Sequence, residues 1–149
     1  MATFTATHIS QEQPAISGGQ AGVVVCNEGA YEAPVTLAAN DIVKLAFLPA
    51  GHKPVDVILE ADDLDTNGTP TIALAVGVVN SDGDDLVAST NFITGSAVGS
   101  TGGVARADTV AGLQLAASSV DRVIGVKVTT VAATKAAGTL KLKVLSVPA

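Results

Sequence analysis

Short runs in which apolar and polar residues alternate with a period of two dominate this sequence, and turn residues separate them. Within residues 71–79, for example, Ile72, Leu74, Val76 and Val78 fall on one side of an extended chain. Such alternation is typical of a β-strand with one buried face. No stretch with helical periodicity is long enough to cover a parallel sheet. The pattern therefore predicts a nearly all-β domain with antiparallel strands.

Seven or eight short strands are expected between turns rich in Gly, Pro, Asn and Asp. The runs cover residues 21–26, 41–48, 53–61, 71–79, 86–88, 91–93, 121–131 and 139–147. We expect Asn27-Glu28-Gly29 to turn the chain after the first run, and the linker 132–138 to close a hairpin between the last two. Residues 94–119 are irregular, with one short helical turn within 110–117. Many short strands with frequent turns favour an antiparallel β-sandwich that is jelly-roll-like.

The alternation also assigns side chains to faces. The predicted buried faces hold Val43, Leu45 and Phe47 in one strand, and Val55, Val57 and Leu59 in the next. Opposite the apolar face of residues 71–79 lie the small residues Ala73, Ala75 and Gly77, which allow another layer or another chain to approach closely. Lys141 and Lys143 face outward in the last strand, where they discourage incorrect edge pairing.

The first 20 residues differ from the rest, because they are polar and mixed and contain Pro14 and the pair Gly18-Gly19. We interpret residues 1–20 as an extended N-terminal arm that ends in a flexible joint, and residues 21–149 as the sandwich domain. Phe4 and Ile9 give the arm apolar surface to bury against a partner. A disordered tail is the alternative.

Composition restricts the partners. Charged residues make up 15% of the 149 residues and hydrophobic residues 48%, whereas an average soluble domain has about 25% charged residues. A weakly charged surface favours assembly with other copies or a larger protein. The net charge is −6, and the eight basic residues are scattered, which argues against direct nucleic-acid binding. No signal peptide and no 18-residue apolar run is present, so we expect a soluble protein, made in a cytoplasm, with no membrane partner.

The acidic loop at residues 62–68 is the strongest candidate for chemistry. Asp63, Asp65, Asn67 and Gly68 match the opening of a calcium-binding loop. The twelfth position is Leu74, where a bidentate glutamate is needed, and the flanking sequence is strand-like. Hairpin turns use Asp, Asn and Gly for backbone reasons alone. We therefore predict a plain acidic turn with no metal, and leave a calcium loop as the alternative.

The remaining candidate groups do not form a catalytic set. Asp82, Asp84 and Asp85 form a second turn, which we expect to be solvated. Cys26 is the only cysteine, and we expect it to be a buried thiol. His52 lies in a turn and is expected at the surface. No recognised nucleophile, phosphate-binding or metal motif occurs, so we predict no enzyme activity, no catalytic residues and no cofactor.

Several segments together resemble the small decoration (cement) proteins of tailed-bacteriophage capsids. The resemblance spans roughly residues 40–145 and rests on strand-and-turn patterns: Leu48-Pro49-Ala50-Gly51-His52-Lys53-Pro54-Val55-Asp56, Asp62-Asp63-Leu64-Asp65, Gly77, Gly102-Gly103-Val104-Ala105-Arg106-Ala107-Asp108, Ile124-Gly125-Val126-Lys127-Val128 and Ala137-Gly138-Thr139-Leu140. The arm has no matching feature.

The resemblance implies a structural virion protein on the capsid exterior, made in the host cytoplasm, that binds the outer surface of a phage head and stabilises the shell of major capsid protein. It implies two partners, the major capsid protein and other copies of this chain, with a dimer favoured over a trimer. The alternatives are another virion component (a tail, collar or fibre-base protein) and a carbohydrate-binding β-sandwich. The last is disfavoured because the chain has no Trp and one Tyr.

Overall fold

The structure, a computed structural model, describes residues 1–10 and 22–149. Nine strands occur in this part of the chain: β1 (Thr3–Thr5), β2 (Val25–Ala33), β3 (Ile42–Leu48), β4 (His52–Ala61), β5 (Ala73–Val78), β6 (Ile93–Ser96), β7 (Gly103–Arg106), β8 (Arg122–Thr130) and β9 (Gly138–Pro148). The helices are single turns: α1 (Thr7–Ser10), α2 (Val110–Leu113), and two 3₁₀ turns at Ala88–Thr90 and Val98–Ser100. The helical turn predicted within residues 110–117 is α2.

The strands form two sheets, one in the order β1-β3-β8-β5-β6 and the other in the order β2-β9-β4-β7. The antiparallel pairs are nested along the chain: β5 pairs with β6, β4 with β7, β3 with β8, and β2 with β9. Two stacked sheets made from such nested pairs are jelly-roll-like. The predicted fold class, an antiparallel all-β sandwich, is confirmed.

The main core lies between the two sheets. It takes one apolar face from each sheet, as period-two alternation requires. Its largest fully buried members include Leu45, Leu48, Leu59, Leu74, Phe92, Ile124, Leu140 and Leu142. The core contains no tryptophan, so its packing depends on Leu, Ile and Val with one well-placed phenylalanine.

Two β-bulges change the predicted faces of β3 and β4. In β3 the register to β8 shifts between Lys44 and Ala46, so that Leu45 is the extra residue. In β4 the register to β9 shifts between Pro54 and Asp56. A bulge turns every residue on one side of it to the opposite face. Phe47 is therefore only partly buried and Val55 is exposed, and the prediction that both belong to the buried faces was wrong.

The predicted turn at Asn27-Glu28-Gly29 is also wrong, because β2 continues through it. Asn27 is paired with Val144 and Gly29 with Leu142 in an uninterrupted ladder to β9. Asn27 and Gly29 are residue types that favour turns, which is why the local pattern predicts a break in the strand. The long pairing with β9 stabilises an extended conformation there, since every second residue of β2 is buried up to Gly29.

The predicted hairpin between β8 and β9 does not form. The two strands lie in different sheets, and the linker 132–138 crosses the end of the sandwich. β9 is therefore an inner strand between β2 and β4, not an edge strand. Lys141 and Lys143 do face outward, but they form cross-strand ion pairs with Glu28 and Glu60 and have no edge to protect.

The small-residue face of β5 packs against another layer of the same chain. Ala75 is 4% exposed and contacts a second, smaller cluster with Ile42, Val79 and Leu86. A Cβ atom at Gly77 would lie 2.6 Å from the side-chain oxygen of Asn91, so glycine is needed for this close approach. The segment that follows β5 covers the face, so the closely approaching layer that the small residues predicted belongs to the same chain.

The first ten residues pack on the sandwich. β1 adds to β3 as a parallel edge strand, Ala6 is fully buried, and Phe4 packs on the core with its ring centroid 5.8 Å from that of Tyr31. Residues 11–21 lie outside the described residues, and so does the predicted boundary between arm and domain. Within the described part, the apolar residue Phe4 buries its surface against its own domain.

Phe4→Ala should lower the free energy of unfolding by about 1–2 kcal/mol, because a half-buried aromatic ring leaves the core. Thermal or urea unfolding of the purified protein measures the change. Met1→Ala is the matched control, since Met1 is 70% exposed and its removal should change stability by less than about 0.5 kcal/mol. Equal stability of both variants would contradict the docking of β1.

Candidate functional site

Asp65, the centre of the predicted acidic loop, is a buried hydrogen-bond acceptor for two loops. Its side chain is 1% exposed. The carboxylate accepts backbone N–H groups from Thr71 at 2.7 Å and Ile72 at 3.2 Å on one side. From the linker between β8 and β9 it accepts N–H groups of Ala133 at 2.9 Å and Thr134 at 2.8 Å. One carboxylate therefore joins the β4–β5 loop to the β8–β9 crossover.

The same contacts determine the protonation of Asp65. Burial alone would raise the pKa of its carboxyl, since the charged form loses hydration. The backbone N–H groups of Thr134, Thr71, Ala133 and Ile72 outweigh burial and hold the pKa far below its usual range. Asp65 is therefore ionised at neutral pH.

The other oxygens of the acidic loop also turn toward the backbone. Asp63 Oδ1 accepts the N–H of Asp65 at 3.1 Å, and Asn67 Oδ1 accepts the N–H of Thr69 at 2.9 Å. These Asx turns account for the spacing of Asp63, Asp65 and Asn67 through backbone geometry. Within residues 1–10 and 22–149, no group of three or more His, Cys, Asp or Glu residues could hold a metal ion. The backbone contacts of Asp63, Asp65 and Asn67 thus give the acidic loop a structural role.

The second acidic turn connects β5 to the segment that covers it. Asn80 Oδ1 accepts the N–H groups of Gly83 at 2.8 Å and Asp84 at 3.1 Å. Asp85 pairs with Lys127 at 2.6 Å, and the hydrogen bond from this lysine lowers the pKa of Asp85. The carboxylates of Asp84 and Asp85 are exposed, as predicted for a solvated turn.

Cys26 and His52 occupy environments opposite to those predicted. Cys26 is exposed because it lies on the outward face of β2. His52 is 3% exposed, and its Nδ1 lies 3.1 Å from Ser146 Oγ, which is fully buried. The turn position of His52 suggested a surface residue, but His52 begins β4 and its side chain points inward. The two residues lie on different faces of the sheet and form no nucleophile–base pair.

The outward face of the β2-β9-β4-β7 sheet carries paired charges. Lys141 lies 3.5 Å from Glu28, and Lys143 contacts Glu60. At the edge strand β7, Arg106 binds Asp56 through Nε and Nη2. Each of these cations has a carboxylate partner within the chain, so this face suits contact with water.

A cleft of about 310 Å³ opens on the other sheet, between the turn after β5 and the adjoining ends of β3 and β8. Its lining includes Lys44, Gly83, Asp121 and Arg122. Asp121 accepts the backbone N–H of Ala50 at 2.7 Å. Nε and Nη2 of Arg122 are buried and have no hydrogen-bond partner. Sequence reasoning did not identify this site, because no local pattern brings residues 44, 83 and 122 together.

Asp65→Asn should lower the melting temperature by on the order of 5–10 °C at pH 7, because the two loops lose a charged acceptor shared by four N–H groups. Asp63→Asn is the matched control, since Asp63 is exposed and should change melting by about 2 °C or less. Scanning calorimetry measures both. A similar decrease for both variants would mean that the shared acceptor is not what holds the crossover.

The pH dependence of stability gives a second measurement of Asp65. A carboxyl whose pKa is depressed by folding stabilises the protein above its unfolded pKa, about 3.9, and loses that contribution as the pH falls further. The wild type should therefore lose stability below about pH 4 more steeply than Asp65→Asn. Parallel curves for the two proteins would contradict an ionised Asp65.

No helix among the described residues is long and apolar enough to cross a membrane. No protein-family model matches the sequence, and no curated protein sequence matches it either.

Solved capsid structures contain similar chains. A chain in the capsid of Ralstonia phage GP4 is 30% identical, with 99% of this chain and 98% of that chain covered and a TM-score of 0.86. A chain in the capsid asymmetric unit of cyanophage Pam1 is 31% identical, with 91% of each chain covered and a TM-score of 0.72. A chain of the acidic stable capsid of Helicobacter pylori bacteriophage KHP30 shares the fold, at 14% identity and a TM-score of 0.54.

The first two similarities run over nearly the whole length of both chains, so they cover the complete sandwich and not one shared motif. At about 30% identity they also exceed a likeness of fold alone. The chain therefore belongs to the phage capsid proteins and is a structural component of a virion.

Proposed function

We propose that this protein decorates the outer surface of a phage head and stabilises the shell formed by the major capsid protein. The observation that carries the proposal is the end-to-end similarity to a chain of the Ralstonia phage GP4 capsid. A chain of 149 residues that folds as one sandwich is suited to bind a shell as an added subunit.

Charge supports a position on the outside of the shell. The net charge is −6, and packaged DNA presents a dense array of phosphates to any inner surface. An acidic protein is repelled by that array, whereas DNA-binding surfaces are rich in Lys and Arg. Four of the cations, Arg106, Lys127, Lys141 and Lys143, are already paired with carboxylates of the same chain.

The mechanism is mechanical and needs no reaction. The two-sheet sandwich acts as a rigid body that spans neighbouring capsid subunits. Each contact contributes modest free energy, and repetition over the shell, together with self-association, gives avidity.

We also propose that the protein associates with itself, as a dimer in preference to a trimer. Homo-oligomers are the common solution for proteins that sit on symmetric shells. Sedimentation equilibrium of the purified protein should give twice the chain mass of 14.7 kDa. A mass of one or three chains at tens of micromolar would contradict the dimer.

Binding to shells tests the main proposal. Purified protein added to phage heads that lack it should bind to saturation, raise the temperature at which the shells rupture, and appear on the outside in cryo-electron images. Binding confined to the tail, collar or fibre base would favour the alternative virion roles. Absence of binding to any part of the particle would overturn the proposal.

A further inference from the structure

Arg122 carries buried polar atoms that find no partner among the described residues. Nε and Nη2 of its guanidinium are buried, and neither atom donates a hydrogen bond within the described residues. These two atoms form one edge of the guanidinium, the edge that binds a carboxylate with two parallel hydrogen bonds. A complete recognition edge is therefore unused.

An unpaired buried guanidinium is unfavourable. Arginine is almost never deeply buried unless it is paired, and an unsatisfied donor loses hydration with no compensating bond. Burial accordingly lowers the pKa of Arg122. The unfavourable arrangement is explained if a partner that is absent from the isolated chain completes it.

A second cation without an ion pair lies at the same cleft as Arg122. Arg122 lines the cleft of about 310 Å³ together with Lys44. The Lys44 ammonium lies against Gly83, where a Cβ atom would be only 2.5 Å from Nζ. Asp82 and Asp121 stand at the same cleft, but neither forms an ion pair with Arg122 or Lys44 in the described chain. Two partly buried cations thus share one opening.

The other basic residues show that this arrangement is specific to the cleft. Arg106 uses the same edge, Nε and Nη2, to bind Asp56 on the opposite sheet. Lys53 and Lys135 are exposed and solvated, so they need no partner. Only Lys44 and Arg122, among the basic residues of the described chain, combine partial burial with no carboxylate contact.

We propose that the Lys44–Arg122 cleft is a docking site for a carboxylate side chain, Asp or Glu, of a neighbouring shell subunit. This inference rests on the proposed function, since it names the chemistry of the partner. The guanidinium is part of a side chain that is partly exposed as a whole. Docking requires a rotation about the terminal torsions of Arg122 that would turn the unused edge, which is buried in the isolated chain, into the cleft.

Shell binding by Arg122→Gln tests the docking site. Gln keeps the polar stem but removes the charge and the paired donors, and the dissociation constant for heads that lack the protein should rise at least about tenfold. Arg106→Gln is the matched control, because it removes the same edge from an ion pair within the chain and should change binding by less than about threefold. Equal binding of Arg122→Gln and wild type would overturn the site.

A titration of the protein alone separates this inference from the proposed function. Sodium acetate should shift the Nε–H resonance of Arg122 in nitrogen-15 NMR spectra. The Nε–H resonance of Arg106 should not change, since Asp56 already binds that edge of the Arg106 guanidinium. Sodium chloride at equal ionic strength is the control. No acetate response at Arg122 would overturn the carboxylate chemistry, whether or not the wild type binds shells.

The remaining outcomes are also informative. A phosphate response larger than the acetate response, with normal shell binding by Arg122→Gln, would assign the cleft to small anions and overturn the docking role. If the wild type does not bind shells, the proposed function and the docking role both fail. Arg122→Met should fold with an unchanged or raised melting temperature, because a buried unpaired charge is removed; a large decrease would mean that Arg122 supports the fold.

Discussion

The chain passes from one sheet to the other at every connection from β2 to β9 except the one between β5 and β6, and the rest of the structure depends on these crossings. Each crossing removes backbone N–H groups from the strand ladders, and they need other acceptors. Aspartates supply them. Asp65 serves two crossings, Asp41 accepts the N–H of Ala38 before β3, and Asp62 accepts the N–H of Thr139 at the start of β9.

The negative charge of this protein thus has a structural origin. The carboxylates that hold the crossings are acceptors for neutral amides, so they add negative charge without requiring cations nearby. The cations lie elsewhere. Lys141 and Lys143 form cross-strand ion pairs on the outward face of the β2-β9-β4-β7 sheet, and Lys44 and Arg122 line the cleft of the other sheet. The resulting charge of −6 agrees with the proposed position on the outside of the shell.

The sequence predicted the positions of strands, which depend on local residue patterns, and missed features that depend on contacts between distant residues. The alternation in residues 71–79 and 121–131 correctly located β5 and β8, because a period of two reports one buried face. It did not report the bulge that exposes Val55, although Pro54 beside the register shift is the kind of residue that marks a bulge in an inner strand. It also assigned β8 and β9 to one hairpin, because adjacency along the chain is the usual guide to pairing. The Arg122 cleft could not be predicted, since its residues meet only through the turn after β5.

The nested pairing has a consequence for how the protein is made. Strand β9 lies between β2 and β4, so the central pairings of the β2-β9-β4-β7 sheet cannot form until β9 has left the ribosome. The pairing of Val25 with Ser146 closes a loop of nearly the whole chain, and closures of this length place folding in the slow, millisecond-to-second range of all-β topologies. A nascent chain therefore cannot complete this sheet before β9 has been synthesised.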